Sequence, residues 1–272
     1  MKIKISAFIL ISTFLFTACS SLQNNEDIKI EQVANLDYIN NSIILPLNEY
    51  TLTEQDINVF TKANNLLTQQ CLQEQGLQTT LVPDPAELGP RDYGMWNPDW
   101  TKSYGYGLSL LEEEEVLSED VAKARIECAE NNTDKYFTNL TKEFNLPLSL
   151  ALEARLRAEQ HPAWKEAKER WEGCLSEQGL TFSSSEQWAT DQGTKLIEQG
   201  EYQNPKNMSE MIRIATLEAE CSKKEGIAEE LANIEGTYQK KLISDNLPSL
   251  NELKIKKQEK LKEAQEVISK IQ

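Results

Sequence analysis

The 272-residue chain predicts an all-α protein: two related, disulfide-stapled helical hairpins, a long aromatic loop and a C-terminal amphipathic helical extension. Three observations predict it. A cysteine-centred segment occurs twice, as Cys71-Leu72-Gln73-Glu74-Gln75-Gly76-Leu77 and Cys174-Leu175-Ser176-Glu177-Gln178-Gly179-Leu180, identical at six of seven positions. Each copy is followed by a polar stretch and a second helical segment that carries one cysteine, Cys128 or Cys221. Finally, the cysteines fall on apolar stripes of helical period, as in Ile57, Phe60, Leu67 and Cys71, or Trp164, Ala167, Trp171 and Cys174.

The elements follow in order. Met1-Lys2-Ile3-Lys4 and the apolar run from Ile5 to Phe16 have the form of a secretory signal, too short for the roughly 20 apolar residues that span a bilayer. The run ends in Leu15-Phe16-Thr17-Ala18-Cys19, which resembles a lipobox. Residues 1–18 therefore read as a lipoprotein signal peptide, with Cys19 the lipidated, palmitate-bearing N-terminus of the mature chain. Phe16 stands where leucine is usual, which keeps ordinary signal-peptidase cleavage as the alternative. Two or three acyl chains anchor stably where one is marginal. Residues 19–45 are polar, without strong periodicity, and read as a flexible tether to a helical body over 46–272.

Thr53-Glu54-Gln55-Asp56 approximates a capping box and opens a helix to about Gln75, beginning repeat one, about 53–131. The glycine five residues after each repeat cysteine reads as a left-handed helix stop. From Leu77 to Leu108, Pro83, Pro85, Pro90 and Pro98 with Gly89, Gly94, Gly105 and Gly107 favour a long loop over helix. Its Tyr93, Trp96, Trp100, Tyr104 and Tyr106 form a candidate binding loop. Loop aromatics more often plug the loop onto its own core.

A helix over about Ser118–Glu130 carries Val121, Ala124 and Cys128. Another over about Ser149–Glu159 precedes His161-Pro162, where proline suits a first helical position and begins repeat two, about 162–226. His161, the only histidine, reads as structural. Asn207-Met208-Ser209-Glu210 approximates a capping box for the Cys221 helix, with Ile214 and Leu217 on its stripe. Gly226 and Pro248 divide the extension, about 227–271, into segments 227–246 and 249–271. The second, with Leu250, Leu253, Leu261, Ala264, Ile268 and Ile271, can pack back on the body or pair with another helix.

Composition narrows function. Removing residues 1–18 takes away two lysines and no acid, leaving 26 basic against 44 acidic residues, a net charge of −18. That opposes nucleic-acid binding and polybasic membrane contact. The run Glu112–Glu115 reads as a solvated face before it reads as a cation site. Four cysteines beyond Cys19, in an exported chain, imply two disulfides. Zinc would need a closely spaced pair, which is lacking. Three pairings are open; inward-facing thiols within each repeat favour Cys71–Cys128 and Cys174–Cys221 over cross-repeat bonds. Each closes a loop worth up to about 4 kcal/mol on the chain-entropy argument.

The chain resembles a group of lipoproteins and secreted proteins of unknown function from actinobacteria over roughly residues 43–268. The resemblance rests on Leu45-Pro46-Leu47-Asn48 with Tyr50, Leu67 with Cys71 and Gly76, Tyr93-Gly94 and Tyr104-Gly105-Tyr106, Trp171 with Cys174 and Gly179, and Ala215, Cys221 and Tyr238-Gln239. Leu72, Leu175 and Gly107 depart from it, standing where methionine, methionine and histidine are frequent.

The functional expectation is a lipid-anchored protein on the extracytoplasmic face of the cell membrane, binding or supporting an envelope protein or polymer, without catalysis, cofactor or metal. An envelope hydrolase with a carboxylate pair is one alternative. The other, a solute-binding lipoprotein of an importer, lacks the β-α-β alternation that its usual fold requires.

Overall fold

A computed structural model of the chain describes residues 28–77, 93–107, 118–136, 145–183, 188–199 and 204–271. About three quarters of these are helical, in eight α-helices, with one two-stranded hairpin. Strands β1 (Asn35–Asp37) and β2 (Ser42–Ile44) pair antiparallel with Leu36 opposite Ile43. A 3-10 turn at Pro46–Glu49 leads to α1 (Glu54–Glu74). Then come α2 (Pro98–Tyr104), α3 (Glu119–Tyr136), α4 (Asn145–Glu159), α5 (Pro162–Ser176), α6 (Asp191–Glu198), α7 (Pro205–Lys224) and α8 (Ile227–Ile271).

Both expected disulfides are present, Cys71–Cys128 and Cys174–Cys221, each with Cα atoms 5.8 Å apart. The first ties α1 to α3, the second α5 to α7. The repeated segment is a helix-ending device. Leu77 N–H donates to Leu72 O at 2.9 Å and Gly76 N–H to Gln73 O, while Leu180 N–H donates to Leu175 O at 3.1 Å and Gly179 N–H to Ser176 O. With φ of +79° at Gly76 and +78° at Gly179, each is a Schellman cap. Leu72 and Leu175, one residue after the cysteines, are fully buried. The repeat therefore encodes three things together: a staple, an inward leucine and a stop.

The 45 residues of α8 make a spine about 68 Å long. Its N-terminal part packs on α5 and α7, its middle on α4 and the 3-10 turn, and its C-terminal part on α1. Leu250 and Ala264 are fully buried there, so the extension packs back on the body. Pro248 does not divide it, contrary to expectation. Leu242 and Leu250, on either side of the proline, are held in one cluster with Leu47, Tyr50, Leu150 and Ala154, and Asn246 Nδ2 donates to the Leu242 carbonyl one turn away. Packing on both flanks overrides the missing amide.

Three further expectations are corrected. The tether does not extend to residue 45: Asn233 Oδ1 accepts from the Val33 and Ala34 amides at 2.7 and 2.9 Å, and Thr237 Oγ1 from the Glu31 amide at 3.0 Å. Ile30, Ala34, Leu36, Ile43 and Leu45 pack on the main core. Gly236 permits this approach, because a Cβ there would meet Val33 Cγ2 at 2.6 Å. Second, Pro98–Tyr104 is helical inside the expected loop, started by the Asn97 cap and the N-terminal proline. Third, α7 begins at Pro205 with Asn204 as cap, three residues before the expected one.

Elsewhere Thr53 caps α1 with a full capping box, and His161 accepts from the Ala163 amide as the cap of α5. On α1, Ile57 lies outside the buried stripe at 45% exposure, whereas Phe60, Ala63 and Leu72 are buried. Cys19 and Glu112–Glu115 lie outside the described residues.

Candidate functional site

The most developed polar chemistry lies where the hairpin, the 3-10 turn, α4 and α8 meet. There Ile43, Leu45, Asn48, Tyr93, Ala151, Leu152, Arg155 and Glu235 line a cavity of about 430 Å³. Glu235 projects from the buried face of α8 at 6% exposure. Its Oε2 accepts from the Tyr93 hydroxyl at 2.8 Å and from Arg155 Nη1 at 3.2 Å, and its Oε1 from Gln239 Nε2 at 2.9 Å. Burial raises the Glu235 pKa, and the Tyr93 and Arg155 interactions oppose that rise.

Arg155 is fixed from three sides. Its Nε donates to Glu159 at 2.7 Å, and its guanidinium carbon lies 4.8 Å from the Tyr93 ring centroid and 4.5 Å from that of Trp164. Burial pulls its pKa down, yet Glu159, Tyr93 and Glu235 carry the net shift upward, so the cation is retained. This is a desolvated cation over two aromatic faces, an arrangement that favours arginine over lysine.

Gln239 joins this cluster to the 3-10 turn, because its Oε1 accepts the Leu47 amide at 2.9 Å across a separation of 192 residues. Asn48 accepts the Leu45 amide with its side-chain oxygen, closing the turn. Its amide N–H₂ has no partner among the described residues. The floor of the cavity is thus polar and buried, while its rim is aliphatic. Leu152 at the rim is 60% exposed.

A second polar cluster is closed to solvent. Glu218 on α7, fully buried, accepts from Thr190 N and Thr190 Oγ1 at 3.0 and 2.7 Å. Thr190 also caps α6 by accepting from the Gly193 amide. Burial pushes the Glu218 pKa up to about 7, against the Thr190 bonds and the neighbouring Tyr106 hydroxyl. The cluster clamps α6 to α7 and has no access for a ligand.

Of the five loop aromatics, Tyr93 alone lines the cavity, and it does so from a buried position. Trp96 is buried with its ring 5.1 Å from that of Tyr38, and Tyr106 is buried beside Gly193 and Glu218. Both of these rings plug the main core. Trp100 and Tyr104 sit one turn apart on α2 with ring centroids 5.3 Å apart, Tyr104 being 39% exposed. Both disulfides lie away from the cavity lining and act as staples.

Sequence reading did not single out Arg155 or Glu235. The signal was present: Glu235 falls on the same helical face as Leu231 and Tyr238, where a carboxylate is out of place unless paired. Among the described residues no group of three or more His, Cys, Asp or Glu side chains converges as a metal site, and no helix is long and apolar enough to cross a membrane. Comparison with protein-family models, curated proteins and solved structures finds no match to this chain.

Proposed function

We propose that this chain is a lipoprotein anchored through Cys19 to the extracytoplasmic face of the cell membrane, where it binds another envelope component without catalysis. The observation that carries the binding reading is the cavity with its buried, mutually paired Arg155, Glu235 and Tyr93 floor and its exposed aliphatic rim. Rigid polar groups under an apolar mouth are the usual form of a preformed ligand site. Glu235 accepts three hydrogen bonds and faces a guanidinium, an arrangement that holds a carboxylate in place rather than one that passes a proton to a substrate. The alternative of a carboxylate-pair hydrolase draws no support from this geometry.

The anchor reading draws on the signal-like N-terminus, on Cys19 at its end and on two disulfides, which belong to oxidising compartments. Kinship with the actinobacterial group is proposed on the same footing. Leu45 and Asn48 at the turn, with Tyr93, are among its carriers and line the cavity, and Gln239, another carrier, bonds to Glu235 beneath it. Cys19→Ala, expressed in the native host and followed by fractionation, should move the protein from the membrane pellet to the soluble extracytoplasmic fraction. Unchanged membrane retention of that variant would defeat the anchor reading.

A further inference from the structure

We propose that the cavity binds a single-chain, uncharged amphiphile, its oxygen-bearing head against Asn48 and its alkyl chain laid over the outer face of α4. The inference rests on the binding reading above and deepens it.

The charges select the head. Arg155 is balanced by Glu235 and Glu159, at 3.2 and 2.7 Å, and the Glu235 carboxylate is already met by Tyr93, Arg155 and Gln239. An anionic head entering the cavity would face Glu235, and a cationic head would face Arg155, each without an unbalanced opposite charge to receive it. The net charge of −18 on residues 19–272 disfavours anions further. What the lining does offer is a neutral donor. Asn48 commits its oxygen to the Leu45 amide, so the side chain presents N–H₂ to an acceptor oxygen.

The stripe selects the tail. Leu148, Leu152 and Leu156, 48%, 60% and 52% exposed, repeat every fourth residue along α4. They form an apolar line about 12 Å long on the solvent side of the helix. The opposite side buries Leu150, Ala154 and Ala158. Leu152 belongs to both the stripe and the cavity rim, so an aliphatic chain leaving the cavity passes directly onto the stripe. Ile44, 47% exposed on β2, flanks the rim residues Ile43 and Leu45. Exposed leucines in such a row mark an interaction surface rather than a solvated face.

The test uses the mature chain carrying Cys19→Ser, which has no lipid of its own, titrated by calorimetry with glycerol monolaurate below its aggregation concentration. Sodium laurate and dodecylammonium chloride, of equal chain length, are the charged comparisons. Glycerol monolaurate should bind saturably, with both charged probes about tenfold weaker or more, and Leu152→Lys should weaken monolaurate by about tenfold with unchanged helicity and melting temperature. Absence of saturable monolaurate binding, a charged probe that binds as tightly, or an unaffected Leu152→Lys variant would each overturn the proposal. Because this chain lacks the anchor, those outcomes are separate from the membrane release of Cys19→Ala.

Discussion

Around Cys174–Cys221, helices α5 and α7 enclose Trp164, Trp171, Leu175, Met211, Ile214 and Ala215, with Phe182 and Trp188 packed on Trp171. Around Cys71–Cys128, the cluster that helices α1 and α3 bury among the described residues is Leu72, Ala124 and Cys128, with Cys71 and Leu77 against them. The two pairs share a staple with Cα atoms 5.8 Å apart and a cap. They differ in what fills the space between the helices. The aromatic segment that follows α1, with Tyr93, Met95, Trp96 and Tyr106, packs into the core of repeat two rather than its own. Repeat one instead leans on the far end of α8 through Phe60, Ala63 and Ala264. One duplicated helix-staple-stop unit is thus a core in one place and a strut in another.

The largest expected effect tests the rich side. Trp171→Ala removes a fully buried ring whose Nε1 donates to Glu218 O at 3.2 Å. It should cost about 3–5 kcal/mol in denaturant unfolding, and Leu72→Ala on the thin side should cost less. Equal losses would erase the distinction between core and strut.

Next come the staples. Cys→Ala pairs should each cost about 2–4 kcal/mol. The location of the damage should differ: loss of Cys71–Cys128 opens α3 locally and exposes it to protease, whereas loss of Cys174–Cys221 lowers the melting temperature with no new cleavage site. Limited proteolysis with peptide mapping reads this, and a protected α3 in the first variant would contradict the strut.

Glu218 sharpens the comparison through pH. Its native pKa of about 7 lies above its ordinary 4.5, so the folded state holds the proton more tightly than the unfolded state. Its contribution is therefore full below about pH 4.5 and is lost as pH rises through about 7, by about 3 kcal/mol at most. Glu235, also raised by burial, acts with the same sign. Glu218→Gln should flatten the fall in stability over that window, and an unchanged slope would place the titration elsewhere.

The smallest effects are at the caps. Gly76 and Gly179 adopt the same positive φ with no heavy atom within 4 Å of an added Cβ, so Gly→Ala at either should cost about 1–2 kcal/mol from backbone strain alone. Melting curves of the two variants would reveal any hidden packing role as a difference between them.

The helical class, the two staples and their caps were legible because each is local or repeated: period, cysteine and glycine lie within one turn of each other. The cavity was not. Its residues come from segments about 190 residues apart, and Gln239, which joins Leu47 to Glu235, has no local pattern that marks it. Residues 28–45 misled because the amides of Glu31, Val33 and Ala34 are satisfied by Thr237 and Asn233 of α8, partners that composition cannot show. Pro248 misled for a related reason, since long-range packing outweighs a local breaker.

The central claim, an anchored protein with one staple per repeat, is tested most directly by intact and non-reducing peptide mass spectrometry of protein purified from its native membrane. The expected result is an acylated Cys19 at the N-terminus with the pairs Cys71–Cys128 and Cys174–Cys221. An unlipidated N-terminus, or free or cross-paired thiols, would contradict it.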